Sequence, residues 1–283
     1  MPDEATCKAL ALEHCRRVNA GDVERLLELY APAVRFEDPV GSVERVGHGA
    51  LRSYIGGVIA AGVQEAPEVP VAAPDGRHAA VPVTVTMSYL PNGPLLARFG
   101  LLPAPPDPRT ARLRFSCVMV IGVGPGGLID EMRTYWGPSD VRFLGLEAAA
   151  AAGDASAKAT ALGYCRLMNA GDLDAVLALF AADVRFEDPV GSPPVVGLDA
   201  LRTHLASAIG GHIHEVPGTP TGCLRGDIVA LPVSGTLDAP GAPAGTRVRF
   251  NLISLIRTDA AGLISEVRVL AGRTDYRLVD PAD

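Results

Sequence analysis

Four acidic residues, Asp38, Glu65, Asp188 and Glu215, are placed as two copies of one pair. Asp188 follows Asp38 by 150 positions (188−38), and Glu215 follows Glu65 by the same interval. Around them Val34-Arg35-Phe36-Glu37-Asp38-Pro39-Val40-Gly41-Ser42 returns unchanged at 184–192, and Asn19-Ala20-Gly21-Asp22 returns as Asn169-Ala170-Gly171-Asp172. In a strand, alternate side chains share a face, so Val34, Phe36 and Asp38 point one way and Arg35 and Glu37 the other. The apolar face must be the core face, which carries Asp38 and Asp188 inward. Val63, Glu65 and Pro67 share a phase in the same manner, as do Ile213, Glu215 and Pro217. A buried carboxylate is costly unless it has a partner or a task. The bland alternatives are a turn cap for the aspartates beside proline and glycine, and a solvated edge strand for the glutamates. Two inward acids across one cavity suit general acid–base work. Keeping a glutamic acid protonated at pH 7 costs roughly 3.7 kcal/mol from a pKa of about 4.3. Burial and a second carboxylate both reduce that cost. One proton shared by the pair then provides an acid and a base together.

Other candidates surround the pair. Leu10, His14 and Val18 make an i, i+4, i+8 stripe, so His14 and its equivalent Tyr164 face inward, where either could donate to a substrate oxygen or orient a carboxylate. Tyr54, Met119 and Trp136 of the first copy correspond to His204, Ser254 and Ala271 of the second. The same acids thus have differently shaped walls, as two different substrates or steps would need. Gly122-x-Gly124-x-Gly126-Gly127 is followed by a strand rather than a helix and reads as a hairpin turn, not a phosphate loop. His212-x-His214 has no counterpart in the first copy and reads as a solvated edge. The cysteines (Cys7, Cys15, Cys117, Cys165, Cys223) are odd in number with no Cys-x-x-Cys pair. They read as reduced, buried thiols. No metal site and no cofactor is expected.

The elements that carry these residues also repeat. Arg112-Leu113-Arg114-Phe115 returns as Arg247-Val248-Arg249-Phe250 at an offset of 135 (247−112), so the first copy holds 15 extra residues (150−135) between Glu65 and Arg112. The patterns predict helices over 5–18, 23–30 and 49–61 and strands over 34–38, 69–73, 79–89, 95–101, 113–123 and 128–136, with Asp22 capping the second helix. Helices first and an antiparallel sheet afterwards give an α+β domain, three helices packed on one face of a curved sheet. The Pro-rich stretch 91–108 reads as a hairpin extension or a loop over the pocket mouth. The alanine run 148–152 and Gly153 read as linker and helix start. The expected domains are 1–145 and 146–283.

Composition narrows the function. With 48% apolar residues there is material for two cores. A net charge of −7 argues against nucleic acid or an anionic membrane as partner. No apolar run is long enough to span a bilayer, and the acidic N-terminus does not resemble a secretion signal. A cytoplasmic enzyme acting on a small molecule is expected.

The run from Tyr164 to Asp174, then Val184 to Ser192 and Gly197, resembles bacterial ketosteroid isomerase within the nuclear transport factor 2-like superfamily. The resemblance covers both copies nearly end to end and implies two tandem cone-shaped α+β barrels, each with a deep pocket. It also implies that Asp38 and Asp188 are bases and that Tyr164 contributes to an oxyanion hole. That isomerase is a worked case of a second, protonated aspartate in the hole; here the matching positions are Met119 and Ser254. Glu65 and Glu215 stand where the isomerase is apolar. A fused pair with an Asp/Glu couple is similar to the epoxide hydrolases of ionophore polyether biosynthesis. This implies cyclisation of a polyepoxide polyketide, an internal hydroxyl replacing water as nucleophile; the two unequal copies are then expected to close one ring each. The first copy would make a five-membered ring and the second a six-membered one. The rival readings are a proton-transfer isomerase, a water-using epoxide hydrolase and a non-catalytic ligand-binding module. The halves would pack as an intramolecular pseudo-dimer, with exposed sheet through which chains could pair further into a homo-oligomer.

Overall fold

The computed structural model describes residues 2–98, 100–145, 155–243 and 245–279. The chain forms two compact units. One comprises Met1–Pro70, Gly76–Ala155 and Thr221–Gly226, the other Val71–Asp75, Ser156–Pro220 and Asp227–Asp283. The alanine-rich run read as a linker lies outside the described residues.

The first unit opens with α1 (Glu4–Ala20), whose N-terminus is capped by the Asp3 side chain accepting from the Thr6 amide and whose end is turned by Gly21 at φ 72°. The Asp22 side chain accepts from the Arg25 amide and starts α2 (Val23–Leu27), as its position predicts. This helix is shorter than the expected 23–30 because Tyr30, buried at 1% exposure, opens β1 (Tyr30–Glu37) instead. There follow in the chain β2 (Arg45–Val46), α3 (Gly47–Ala60), β3 (Gln64–Pro67), β4 (Val71–Ala72, which counts with the second unit), β5 (His78–Ser88), α4 (Gly93–Arg98), β6 (Arg112–Val123), β7 (Ile129–Tyr135) and β8 (Val141–Phe143). The sheet runs β2-β1-β7-β6-β5-β3, with β8 also on β6.

The second unit repeats the plan as α5 (Ala155–Ala170), α6 (Leu173–Leu177), β9 (Phe180–Glu187), β10 (Val195–Val196), α7 (Leu198–Gly210), β11 (His214–Pro217), β12 (Ile228–Asp238), β13 (Arg247–Thr258), β14 (Ile264–Leu270) and β15 (Tyr276–Val279). Its sheet runs β10-β9-β14-β13-β12-β11, with β15 on β13. Its core draws Cys165 and Met168 from α5, Leu201 and Leu205 from α7, and Val184, Phe186, Val229, Leu231 and Ile256 from the sheet.

The α+β class holds, with three differences from the sequence reading. The sheets are mixed rather than antiparallel, because β1 lies parallel to β7 and β9 parallel to β14. They are open, with β2 and β3 or β10 and β11 at the ends, and do not close into rings. The predicted strand 95–101 is instead the helix α4, where the amides of Leu95 and Leu96 bond back to the Asn92 carbonyl; a short apolar run alone does not distinguish the two. Since β5 and β12 still match at the interval of 150, the extra residues lie between Ser88 and Arg112, the stretch that holds α4. The side chain of Asn92 donates to the Gly57 carbonyl (2.9 Å), tying this insertion to α3.

Candidate active site

In the first unit, β1 delivers Asp38 and β3 delivers Glu65 to one cavity. His14, Tyr54, Ile55, Val58, Phe115, Met119, Met132 and Thr134 complete most of its wall. Val34 and Phe36 are buried at 0% and 1% while Arg35 is exposed, so the face of β1 that leads to Asp38 is the inner one. Trp136 stands behind Asp38, its indole Nε1 donating to Oδ1 at 2.7 Å. Burial pushes the Asp38 carboxyl up from its ordinary range, while hydrogen bonds from Trp136, Tyr54 and Thr134 and the charge of Arg45 pull it back. Glu65 has fewer donors. Burial raises it to about 7, opposed by the Cys15 thiol and assisted by the Asp38 charge. Its Oε2 is buried and has no hydrogen-bond partner. His14 Nε2 stands 3.8 Å from it. Burial lowers His14 to about 4, so the ring is neutral near pH 7, with Nδ1 2.5 Å from the Tyr30 hydroxyl. The cavity is small, about 40 Å³.

The second unit puts the same acids in a larger space. Asp188, Glu215, Tyr164, His204 and Ser254 line a cavity of about 550 Å³. Glu215 is only 6% exposed; burial raises it to about 7, with the Cys165 thiol opposing and the Asp188 charge assisting. Its Oε2 likewise lacks a partner. Asp188 meets His204 Nε2 at 3.1 Å in place of the indole and hydroxyl donors of the first unit. Tyr164 packs edge-on against Phe180, the position of Tyr30, and among the described residues its hydroxyl makes no hydrogen bond. The extra volume has a local cause. In the first unit Phe115 packs on Trp136 with ring centroids 5.2 Å apart. In the second, alanine replaces the indole, and Phe250 lies over Gly235, where a Cβ would come within 2.5 Å of the ring.

Comparison with known proteins follows the same division into copies. The SnoaL-like domain family matches residues 11–132 and again 161–267. The chain belongs to that family. Over the full length of both chains it is 36% identical to the epoxide hydrolase LasB of Streptomyces lasalocidi, across 299 aligned positions. Among solved structures, SalBIII, an epoxide hydrolase/cyclase-like enzyme of pyran ring formation in the polyether salinomycin, is 28% identical with a TM-score of 0.43. It matches 44% of this chain and 97% of its own. RV0760c of Mycobacterium tuberculosis, solved with estradiol-17beta-hemisuccinate, is 20% identical with a TM-score of 0.40 and covers 43% of this chain and 98% of its own.

Within each SnoaL-like copy, the repeated motifs hold the acids in place. Asn19 joins the end of α1 to β3: its Nδ2 donates to the Glu65 carbonyl and its Oδ1 accepts the Glu65 amide, both at 2.7 Å. Asn169 does the same for Glu215. The asparagine side chain thus acts as a strand partner on the free edge of β3 or β11. Glu37 and Glu187 accept from the amides of Gly41 and Gly191, bracing the turn after each aspartate. Positive φ of 96° at both positions explains the glycine there. The sequence reading took the Asn-Ala-Gly-Asp motif as a turn and the cysteines as inert core. It missed Asn19, Asn169, Cys15, Cys165 and Thr134 as neighbours of the acids. For the asparagines and the two cysteines the signal was available, since each recurs at the same interval as the glutamates. All five cysteines are buried. His212, with its side chain 76% exposed, pairs with Asp238 at the surface, while His214 lies exposed on the β11 edge. Among the described residues no group of three or more His, Cys, Asp or Glu side chains is arranged to hold a metal ion, and no helix is long and apolar enough to cross a membrane.

Proposed function

We propose that the chain is an epoxide hydrolase/cyclase that opens epoxides of a polyepoxide polyketide by internal hydroxyl attack, each copy closing one cyclic ether. The observation that carries this is the pair in each cavity: an aspartate beside a glutamate whose carboxyl is raised to about 7 and which has a bare inward oxygen. The full-length likeness to an epoxide hydrolase supports the reaction class. Asp38 or Asp188 takes the proton of the attacking hydroxyl. The new C–O bond forms as the epoxide C–O bond breaks, and Glu65 or Glu215 gives its proton to the departing oxygen. Return of the proton from Asp to Glu restores the starting state. Near pH 7 about half of each glutamate is already the acid, so little free energy is spent on protonating it. His14 and Tyr164 orient the acid or the substrate oxygen. Tyr54, Trp136 and His204 hold the aspartates, while Met119 and Ser254 shape the walls. The walls also hold the chain folded, supplying proximity and choosing the carbon attacked. The first copy makes the five-membered ring and the second the six-membered ring.

Incubation with a bisepoxide polyketide mimic, followed by product analysis for wild type and the Asp38→Asn, Glu65→Gln, Asp188→Asn and Glu215→Gln variants, tests this. Cyclic ethers keep the substrate mass. Diols, heavier by one water, would point to a water-using hydrolase. Glutamine variants with full activity would point to an isomerase that needs only its aspartate.

A further inference from the structure

One cation in the first site is not absorbed by this acid–base pair. Arg45 on β2 is in register with Phe36 on β1, and Asp38 lies two residues further along the same face. The Arg45 guanidinium carbon is 5.7 Å from the centroid of the Phe36 ring and 5.2 Å from that of Tyr54, within the range at which a cation is held on aromatic faces. Its Nη1 is buried and has no hydrogen-bond partner. Among the described residues no carboxylate lies within salt-bridge distance of it. The two rings therefore hold the guanidinium over the face of β1 that leads to Asp38. The second copy has Val195 at this position, in register with Phe186.

We propose that Arg45 is a positioning residue of the first site, a fixed cation that holds the negative charge of Asp38 and has no counterpart in the second site. This rests on Asp38 being the base. Around Asp38 the donors Trp136, Tyr54 and Thr134 carry no charge at neutral pH. Glu65 is the other carboxylate lining the cavity and feels the Asp38 charge, and the neutral His14 faces Glu65. Arg45 is thus the permanent charge opposing the effect of burial on Asp38. In the second site the group nearest Asp188 with a charge to offer is His204, which is cationic only when protonated.

The test is a carbon-13 titration of the Asp38 carboxyl in the free protein, which needs no substrate, alongside the pH profile of each ring closure. With Arg45→Met the Asp38 midpoint should move alkaline, because the cation that favours its ionised form is gone. The acid limb of the first closure should follow it, the second closure should be unchanged, and Arg45→Lys should restore most of the shift. Val195→Arg should move the Asp188 midpoint the other way, and decides the matter if Arg45→Met does not fold. An unmoved Asp38 midpoint with only a lower melting temperature, or an unmoved Asp188 midpoint in Val195→Arg, would overturn the proposal. If wild type leaves a bisepoxide untouched, the cyclase reading fails while the titration still judges Arg45.

Discussion

With Glu65 and Glu215 as the acids of the proposed mechanism, one proton on each couples activity to stability. Each carboxyl titrates at about 7 in the folded chain, against a usual value of 4.5. A folded-state value raised by burial means that the native protein binds more protons than the unfolded chain, so stability falls as pH rises between about 4.5 and 7 and stays low above that. The loss is about 3 kcal/mol per site. Glu65→Gln and Glu215→Gln remove that titration; each variant should denature at higher urea than wild type at pH 8 and show no such gain at pH 4.5, while its own ring closure is abolished. Wild-type turnover should fall as pH rises past about 7, where the acid is lost, and again at low pH, where the aspartates are protonated. The inward phase of these acids was legible because Val34, Phe36 and Asp38 alternate with Arg35 and Glu37. The donors to Asp38 were not, since the Trp136 indole arrives from just past the end of β7, 98 positions away, and no local pattern records that meeting.

At the scale of elements, the glutamates sit on edge strands of four residues, which their own pairing holds weakly. The asparagine at the end of the first helix of each unit supplies the missing partner. Asn19→Ala should free the Glu65 backbone, lower stability by about 1–2 kcal/mol for the two lost hydrogen bonds, and slow the first closure at least tenfold. Asn169→Ala should do the same to the second closure alone. Equal slowing of both closures by either variant would show that the asparagines serve folding in general. Helix order, the Asp22 cap and most strand positions could be read from periodicity. The parallel pairing of β1 with β7 could not, because strand direction depends on which distant segment arrives beside it. The insertion misled for a different reason: Leu95, Leu96, Leu101 and Leu102 suggest a strand, yet the amides of Leu95 and Leu96 bond back to the Asn92 carbonyl in a helical turn.

For the whole molecule, one chain carries the same acids behind two unequal walls. Variants of Asp38 or Glu65 should leave the bisepoxide chain unclosed at its first position, whereas variants of Asp188 or Glu215 should accumulate a product with one ring, read directly by chromatography and mass. Loss of both rings in every single variant would refute the division of labour. The cavity of about 40 Å³ has room for only a few waters until its walls part, while that of about 550 Å³ is within the range that drug-sized compounds occupy. A stiff inhibitor cut to the larger shape would therefore silence one half and spare the other. Under the proposed division of rings, dosing it during synthesis would leave a half-finished ether without any change to the gene.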